Sequence, residues 1–187
     1  MSGYCRAAID HPWHEPYHNQ HYGFPIDQDN ELFERLILEI NQAGLSWLTI
    51  LKRQDGFRKA YGGFVIAKVA KYGEKDRARL LADESIIRNR LKVDAAIENA
   101  KRILVLQKSH GSFGQWIAAN HPLTKPDWVK LFKKTFVFTG GEIVGEFLMS
   151  IGYLPGAHAE DCPVYKKIKK LSPPWMQAVR KGMDYSE

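Results

Sequence analysis

Two long stretches of the chain carry apolar residues every three to four positions, which is the spacing of an α-helix with one buried face. The first stretch follows Asp29 as a helix cap and ends at Gly44. Its apolar positions are Leu32, Phe33, Leu36, Ile37, Ile40 and Ala43. The second covers residues 90–108, where Glu98 and Arg102 make a favourable pair one turn apart. Its predicted buried face comprises Val93, Ala96, Ile97, Ala100 and Leu104. Each stretch predicts an amphipathic helix.

Shorter helices are predicted between and after these two. Ser46 can cap a helix over residues 47–52. Further helices are predicted over residues 65–71, 77–82, 126–134 and 142–151. The short β-like run at residues 136–138 has no partner run with matching alternation. The fold class is therefore predicted to be all-α.

The two ends of the chain differ from this helical body. The first 30 residues are rich in His, Pro, Tyr and Gly and show no sustained period, so we expect an extended, loop-rich arm. The helical body is expected over residues 31–162, and residues 163–187 form a basic tail interrupted by Pro173 and Pro174. Without an internal linker or repeat, residues 1–187 are expected to form a single domain.

The composition is that of a globular protein that does not cross a membrane. Of the 187 residues, 44% are hydrophobic and 26% are charged. No apolar run approaches the roughly 20 residues that span a bilayer, and the N-terminus lacks the pattern of a signal peptide. We therefore expect a cytoplasmic protein in which Cys5 and Cys162 do not form a stable disulfide.

Charge is distributed unevenly along the chain. Residues 1–50 carry two basic and seven acidic side chains, whereas the remaining residues carry 25 and 14. The net charge is +6, and the sequence pI is about 9.2. Such asymmetry suggests a face turned towards a polyanion, and a merely soluble basic surface is the alternative.

Four soft or borderline metal ligands stand near the two ends of the chain. Cys5 and His18 lie in the N-terminal arm, and His158 and Cys162 are spaced His-x-x-x-Cys. Two Cys and two His without a carboxylate would form a closed tetrahedral zinc site of the structural kind. Because the two pairs are far apart in sequence, the spacing alone favours the alternative of two unrelated thiols and two surface histidines. The arm also contains three rival ligands, His11, His14 and His21.

A carboxylate lies at the margin of the apolar stripe in the first long helix. Glu39 falls on one line along this helix with Leu36 and Ala43. A carboxylate there is costly unless it is paired or put to use. Trp47 follows the turn that ends the helix, so helix end, turn and indole together could wall a cavity. The pattern also suits a solvated Glu39 and a Trp47 that belongs to the core.

A glycine turn is predicted between two helices at residues 136–141. Gly140 and Gly141 permit close backbone approach, and the amide N–H groups that begin the next helix suit a phosphate. Four lysines precede the turn: Lys125, Lys130, Lys133 and Lys134. Glycine turns between helices are common, so it is the combination with these lysines that favours contact with a nucleic-acid backbone.

Five sequence blocks together resemble the 3-methyladenine DNA glycosylase I family, which belongs to the helix-hairpin-helix glycosylase superfamily. The most specific block is Glu39-x-x-Gln42-Ala43-Gly44-Leu45-Ser46-Trp47. The others are Tyr17-His18 with Gly23-x-Pro25, Ile87-Arg88-x-Arg90-x-Lys92, Phe136-x-Phe138-x-Gly140, and Ala157-His158-x-x-Asp161-Cys162-Pro163. The blocks stand in the order of the family, and the resemblance runs from about Cys5 to Pro163.

The resemblance implies a helix-hairpin-helix glycosylase-type domain in which one structural zinc ion joins the arm to the C-terminal segment. The implied zinc ligands are Cys5, His18, His158 and Cys162. It also implies a base pocket with Glu39 as the catalytic residue and Tyr17, Trp47 and Tyr22 as its lining. The residues expected to contact DNA are Lys130, Lys133, Lys134, Gly140 and Gly141.

The implied activity is monofunctional hydrolysis that removes 3-methyladenine from alkylated double-stranded DNA and leaves an abasic site. A base methylated at N3 is cationic and already a good leaving group, so the enzyme must chiefly flip the nucleotide out and hold the cation. Aromatic ring faces and a carboxylate suit that task. The free base is the expected product. A monomer is expected, in a bacterial-type cytosol or nucleoid and without membrane contact.

Alternatives of a different class stay open at this point. A DNA-binding module of the same fold, also joined by zinc but without excision activity, would share these motifs. Release of free base from alkylated DNA distinguishes the two. A zinc hydrolase is disfavoured, because four protein ligands leave no open coordination position.

The chain departs from the usual family pattern at several positions. Ala7 stands where the family usually has Trp, and His14 stands where it commonly has Tyr. Tyr22 replaces the Trp of an Asp-x-Glu-Trp-Gly run. Thr139, Gly141 and Glu142 in the hairpin also differ. The lesion range is therefore less constrained by the sequence than the fold.

Overall fold

Residues 3–185 are described by the structure, a computed structural model, and every regular element among them is helical. The α-helices are α1 (Gly3–Ala8), α2 (His14–Gln20), α3 (Asp29–Gln42), α4 (Trp47–Leu51), α5 (Gln54–Ala60), α6 (Ile66–Val69), α7 (Glu74–Ala82), α8 (Arg90–His110), α9 (Phe113–Asn120), α10 (Lys125–Thr135), α11 (Gly141–Ser150), α12 (Pro163–Leu171) and α13 (Pro174–Arg180). A 3₁₀ turn lies at Gly62–Phe64. The prediction of an all-α fold is confirmed.

The N-terminal arm is not the extended, loop-rich segment that its composition predicts. It contains α1 and α2, which have six and seven residues. Helices of one to two turns are too short to display an apolar period, and they depend on tertiary packing for stability. The basic tail likewise contains α12 and α13. Residues 1–2 of the expected arm and 186–187 of the expected tail lie outside the described residues.

Helix α3 lies at the centre of the fold and packs against α4, α6, α8, α9 and α11. Its apolar stripe is buried, as the periodicity predicts. Asp29 does not cap α3 itself, because Gln28 holds the N-cap position. Instead, the Asp29 carboxylate accepts hydrogen bonds from the backbone N–H groups of Phe113 (2.8 Å) and Gly114 (3.0 Å). These donors begin α9, so Asp29 joins the starts of two helices.

The end of α3 is held by a buried lysine from α8. Nζ of Lys92 donates hydrogen bonds to the backbone oxygens of Asn41 (2.8 Å) and Ala43 (2.7 Å). A cation at this end satisfies carbonyl groups that have no partner within the helix. Burial lowers the pKa of Lys92. The contact holds α3 where the chain turns through Gly44, whose φ is +80°.

Helix α8 also holds the turn between α10 and α11. The Asn99 side chain donates to the backbone oxygen of Val137 (3.0 Å) and accepts from its N–H (2.9 Å). Arg102 donates to the backbone oxygen of Thr135 (3.1 Å). Arg102 also contacts Glu98 at 2.9 Å, which confirms the predicted pair. The turn therefore has side-chain support on one flank.

A second buried cluster brings the two ends of the chain together. Its members are Cys5, Cys162, Val164, Ile168 and Met176. The two cysteines are buried and are not joined by a disulfide. No helix within residues 3–185 combines the length and apolar character needed to cross a membrane.

Candidate functional site

A cavity of about 690 Å³ lies between α2, the end of α3, the start of α4 and the start of α11. The four residues assigned to the base pocket from the resemblance all line it: Tyr17, Tyr22, Glu39 and Trp47. Gly140 and Gly141 of the glycine turn line it as well. The cavity thus joins two sites that were predicted separately. Tyr4 and Glu146 also line it, and the sequence did not identify either.

Aromatic rings form much of the cavity wall. The ring centroids of Tyr17 and Trp47 are 5.1 Å apart, and those of Tyr17 and Tyr22 are 5.7 Å apart. Tyr4 meets Tyr22 edge to face at 5.3 Å. The indole nitrogen of Trp47 is buried and has no hydrogen-bond acceptor among the described residues. A wall of this kind suits a flat, cationic ring and leaves one N–H donor for it.

Glu39 is a buried acid in this aromatic wall. Its exposed fraction is 4%, and neither carboxylate oxygen accepts a hydrogen bond from another described residue. Burial raises the pKa of Glu39 to about 8, with Arg35 acting to lower it and Glu146 acting to raise it. At neutral pH this burial therefore favours the protonated acid. A cation entering the cavity would favour the carboxylate.

Arg35 lies behind Tyr17 and was not identified from the sequence. Its Nη1 donates hydrogen bonds to Tyr17 Oη (3.3 Å) and to the backbone oxygens of Ser150 (3.3 Å) and His21 (3.4 Å). Its guanidinium carbon is 5.1 Å from the centroid of the Tyr17 ring. Arg35 therefore positions Tyr17 and places a cation near Glu39. The available signal was its spacing, four residues before Glu39 on the same helix.

Glu146 is a second carboxylate in the cavity wall. It is half-buried on α11 and accepts a hydrogen bond from the Tyr22 hydroxyl at 3.1 Å. Burial raises the pKa of Glu146, while the hydrogen bond from Tyr22 acts to lower it. The sequence pattern of α11 offered no signal for this residue, because a helix period does not show which cavity a side chain faces.

The four expected metal ligands meet in one buried cluster. The donor atoms of Cys5, His18, His158 and Cys162 all lie within 4.8 Å of one another. The Cys162 sulfur is 3.7 Å from Nε2 of His18 and 3.8 Å from Nδ1 of His158. The Cys5 sulfur is 4.0 Å from Nδ1 of His158. A tetrahedral zinc site with ordinary bond lengths separates its donors by about 3.3–3.8 Å, which is close to this arrangement.

The outer hydrogen bonds of the two histidines support a metal between them. Nδ1 of His18 is 2.7 Å from the Asn19 amide oxygen, and Nε2 of His158 is 2.7 Å from the backbone oxygen of Tyr22. Both outer nitrogens therefore carry the proton in neutral rings. The inner nitrogens, 3.1 Å apart, then face each other as two lone pairs. A cation between them removes this repulsion, so the cluster can hold a metal ion.

The lysines near the glycine turn differ in their surroundings. Lys130 contacts Asp127 at 3.2 Å, and Lys125 contacts Glu142 at 3.5 Å. Lys133 and Lys134 are exposed, and neither forms an ion pair within residues 3–185. Of the three lysines expected to contact DNA, these two are therefore the ones available to an external anion.

Known proteins resemble the chain over most of its length. A family model described as methyladenine glycosylase matches residues 7–128. DNA-3-methyladenine glycosylase of Haemophilus influenzae is 34% identical, over 79% of this chain and 89% of the relative. DNA-3-methyladenine glycosylase 1 of Escherichia coli is 32% identical, over 86% of this chain and 96% of the relative. A solved structure of 3-methyladenine DNA glycosylase I from Staphylococcus aureus, concerned with 3-methyladenine recognition, superposes with a TM-score of 0.78. It is 30% identical and covers 86% of this chain and 95% of that one.

Proposed function

Because this chain belongs to the methyladenine glycosylase family, we propose that it excises 3-methyladenine from alkylated DNA as an N-glycosylase hydrolase. One observation carries the proposal from the relatives to this chain: a cavity of about 690 Å³ pairs a buried carboxylate with aromatic walls. That chemistry complements a flat purine cation, which is what methylation at N3 makes of adenine in DNA.

The base is proposed to enter the cavity after the nucleotide is flipped out of the duplex. Tyr17 and Trp47 offer ring faces to it, and Glu39 accepts hydrogen bonds from its edge. The positive ring favours the ionised form of Glu39, so binding releases a proton at neutral pH. Glu39 therefore carries full charge only when the cation is present.

The bond between the sugar and the base is proposed to be broken by water. The cationic base departs with the bonding electron pair as a neutral molecule, and water supplies the new oxygen at C1′. Free 3-methyladenine and an abasic site are the products. The glycine turn, residues 136–141, holds no lysine that could form a Schiff base with the sugar, which favours a monofunctional enzyme.

The glycine turn is proposed to act as the hairpin of a helix-hairpin-helix unit that holds the DNA backbone. Backbone N–H groups at Gly140 and Gly141 can donate to a phosphate, next to the cavity that takes the base. Lys133, Lys134 and, after release from Asp127, Lys130 add positive charge. These contacts position double-stranded DNA without reading its sequence. One copy of the chain supplies all of them, in keeping with a monomer.

Zinc is the proposed metal of the four-residue cluster. Two thiolates and two imidazoles are the donor set of structural zinc sites, and they leave no open position for a substrate. The proposed ligand atoms are both cysteine sulfurs, Nε2 of His18 and Nδ1 of His158. When bound, the ion supplies a cross-link between α1–α2 and the chain around α12, not catalysis.

The activity is tested by base release. Purified protein is incubated with double-stranded DNA treated with a methylating agent, and free bases are separated by chromatography. Enzyme-dependent appearance of 3-methyladenine supports the proposal. Binding to the same DNA without release of any base would identify a DNA-binding module and overturn it.

A further inference from the structure

Glu146 lies on the wall of the cavity that the glycine turn and the buried acid on α3 also line. It follows Gly141 by five residues on α11, which places it about 7.5 Å further along the helix axis. The side chain of Glu142, one turn before it, is 91% exposed, whereas Glu146 is half-buried. The wall therefore becomes more enclosed from Glu142 to Glu146. Glu39 faces the same cavity from α3.

Only one oxygen of the Glu146 carboxylate is engaged. Oε2 accepts the hydrogen bond from Tyr22, and Oε1 accepts none from the residues in the range 3–185. A partner that holds one oxygen orients the carboxylate without occupying the other. The free oxygen can therefore accept a proton or a hydrogen bond from a molecule in the cavity.

In the proposed binding mode, Glu146 faces the sugar of the flipped nucleotide. The phosphate is placed at Gly140 and Gly141, and the base is placed against Glu39 and Trp47. The deoxyribose links these two groups covalently, so its C1′ must lie between them. Glu146 lines the same cavity and lies on the helix that Gly141 begins. Glu39, by contrast, belongs to the end of the cavity that receives the base.

We propose that Glu146 is the general base of the reaction and that Tyr22 is its positioning residue. This inference rests on the proposed excision activity. Oε1 of Glu146 takes a proton from water as the water oxygen bonds to C1′. The bond between C1′ and the ring nitrogen breaks, and its electron pair goes to the cationic base, which leaves neutral. Glu146 later returns its proton to solvent, so the step needs no other reactant.

The two carboxylates thereby have separate tasks, one on each side of the scissile bond. Glu39 stabilises the base, and Glu146 activates water at the sugar. Paired acidic groups with divided roles are familiar from hydrolysis of other glycosidic bonds. General base catalysis typically contributes between about 10²-fold and 10⁴-fold in rate.

Two measurements on Glu146→Gln separate catalysis from base recognition. The first is single-turnover release of 3-methyladenine from methylated duplex DNA at saturating enzyme. The second is binding of free 3-methyladenine, followed by tryptophan fluorescence. Free base has no sugar, so loss of a sugar-side group leaves its affinity within about 2-fold. We expect release to fall about 100-fold. Glu74→Gln, which alters an exposed carboxylate paired with Arg77, is the matched control and should retain both properties.

A second variant keeps the proposal testable if Glu146→Gln perturbs folding. Glu146→Ala leaves space for a small carboxylate, so sodium formate should restore part of the release rate. Formate should not accelerate the wild type. Tyr22→Phe keeps the ring and removes the hydroxyl that orients Glu146, and a loss of about 10-fold is expected.

Three outcomes would overturn the assignment. Release by Glu146→Gln at the wild-type rate would show that the carboxylate is not needed. Loss of free-base binding in a folded Glu146→Gln protein would make Glu146 a recognition residue. Absence of formate rescue in folded Glu146→Ala would make its role structural. Failure of the proposed function itself is distinct, because the wild type would then release no base.

Discussion

At the scale of the residue, the buried acid Glu39 lowers the stability of the folded protein near neutral pH. Burial raises its pKa from 4.5 to about 8. Between these two values the unfolded chain releases the proton and the folded chain keeps it. The folded state then binds more protons, so the free energy of unfolding falls as pH rises through this interval.

The stability of Glu39→Gln should therefore depend less on pH than that of the wild type. From pH 5 to pH 8 the buried acid costs the wild type up to about 1.4 kcal/mol per pH unit, and glutamine removes this cost. Denaturant unfolding at pH 5, 6.5 and 8 measures the difference. Glu74→Gln, which removes an exposed carboxylate, should keep the wild-type pH dependence. Parallel pH curves for wild type and Glu39→Gln would show that Glu39 is not a buried acid.

The sequence pattern identifies some residues of the cavity and not others. Glu39 was identified because a carboxylate at the margin of an apolar stripe is unusual. Arg35 and Glu146 were not, since each is one of many charged residues on a helix surface. Their role depends on which helices meet around the cavity, and neither helical period nor residue type contains that information. Tyr4 carries no such signal, because the composition of the arm predicts a loop where the structure has α1.

At the scale of the element, predictability follows helix length. Helices α3, α8, α10 and α11 have at least ten residues and were predicted within one or two residues of their bounds. Helix α4 is short, but Ser46 accepts a hydrogen bond from the Thr49 N–H at 3.3 Å, as its capping signal predicts. Helices α5 and α9 were not predicted. They have seven and eight residues, and packing decides their existence more than periodicity does.

The lysines around the glycine turn should contribute unequally to DNA affinity. Lys133 and Lys134 are unpaired within the described residues, whereas Lys130 already contacts Asp127. The logarithm of DNA affinity falls as the logarithm of salt concentration rises, by about 0.9 for each phosphate contact. Removing both Lys133 and Lys134 should therefore make this slope less steep by about 1.8. Lys130→Ala should change the slope less. Titration of labelled duplex DNA at several salt concentrations measures these slopes.

Preference among lesions gives the control for this prediction. Phosphate contacts position DNA without reading the base, so the relative release of different methylated bases should not change in the double variant. A double variant with altered preference at unchanged salt slope would place these lysines near the base and contradict the assignment.

At the scale of the whole molecule, the Cys–His cluster ties residues near the start of the chain to residues near its end. Its four ligands are buried and come from positions 5, 18, 158 and 162. A metal ion held by these four residues would close a loop that contains nearly all of the helical body. From spacing alone the ligands could not be chosen among seven histidines. The resemblance to the family implies these four ligands, and the structure brings the same four residues together.

Loss of the metal should loosen the ends of the chain before the central helices. Cys162→Ser is expected to lower Tm by several degrees and to expose the segment around α1 and α2 to protease, because metal binding is coupled to folding. Elemental analysis should give one zinc per wild-type chain and less for the variant. Treatment of the wild type with a strong chelator should reproduce the loss of stability, and added zinc should restore it. Freshly purified protein without zinc would contradict the assignment.

The central claim is that the cavity around Glu39 holds the base during excision, and the most direct test is single-turnover release of 3-methyladenine by Glu39→Gln. Glutamine keeps the size of the side chain and removes the charge that faces the cation. A charge-assisted hydrogen bond of about 1.5–3 kcal/mol corresponds to a loss of roughly 10- to 100-fold if the contact strengthens in the transition state. Release slowed by this amount in a folded, metal-loaded protein is the predicted result. Near-normal release by the same protein would contradict the account.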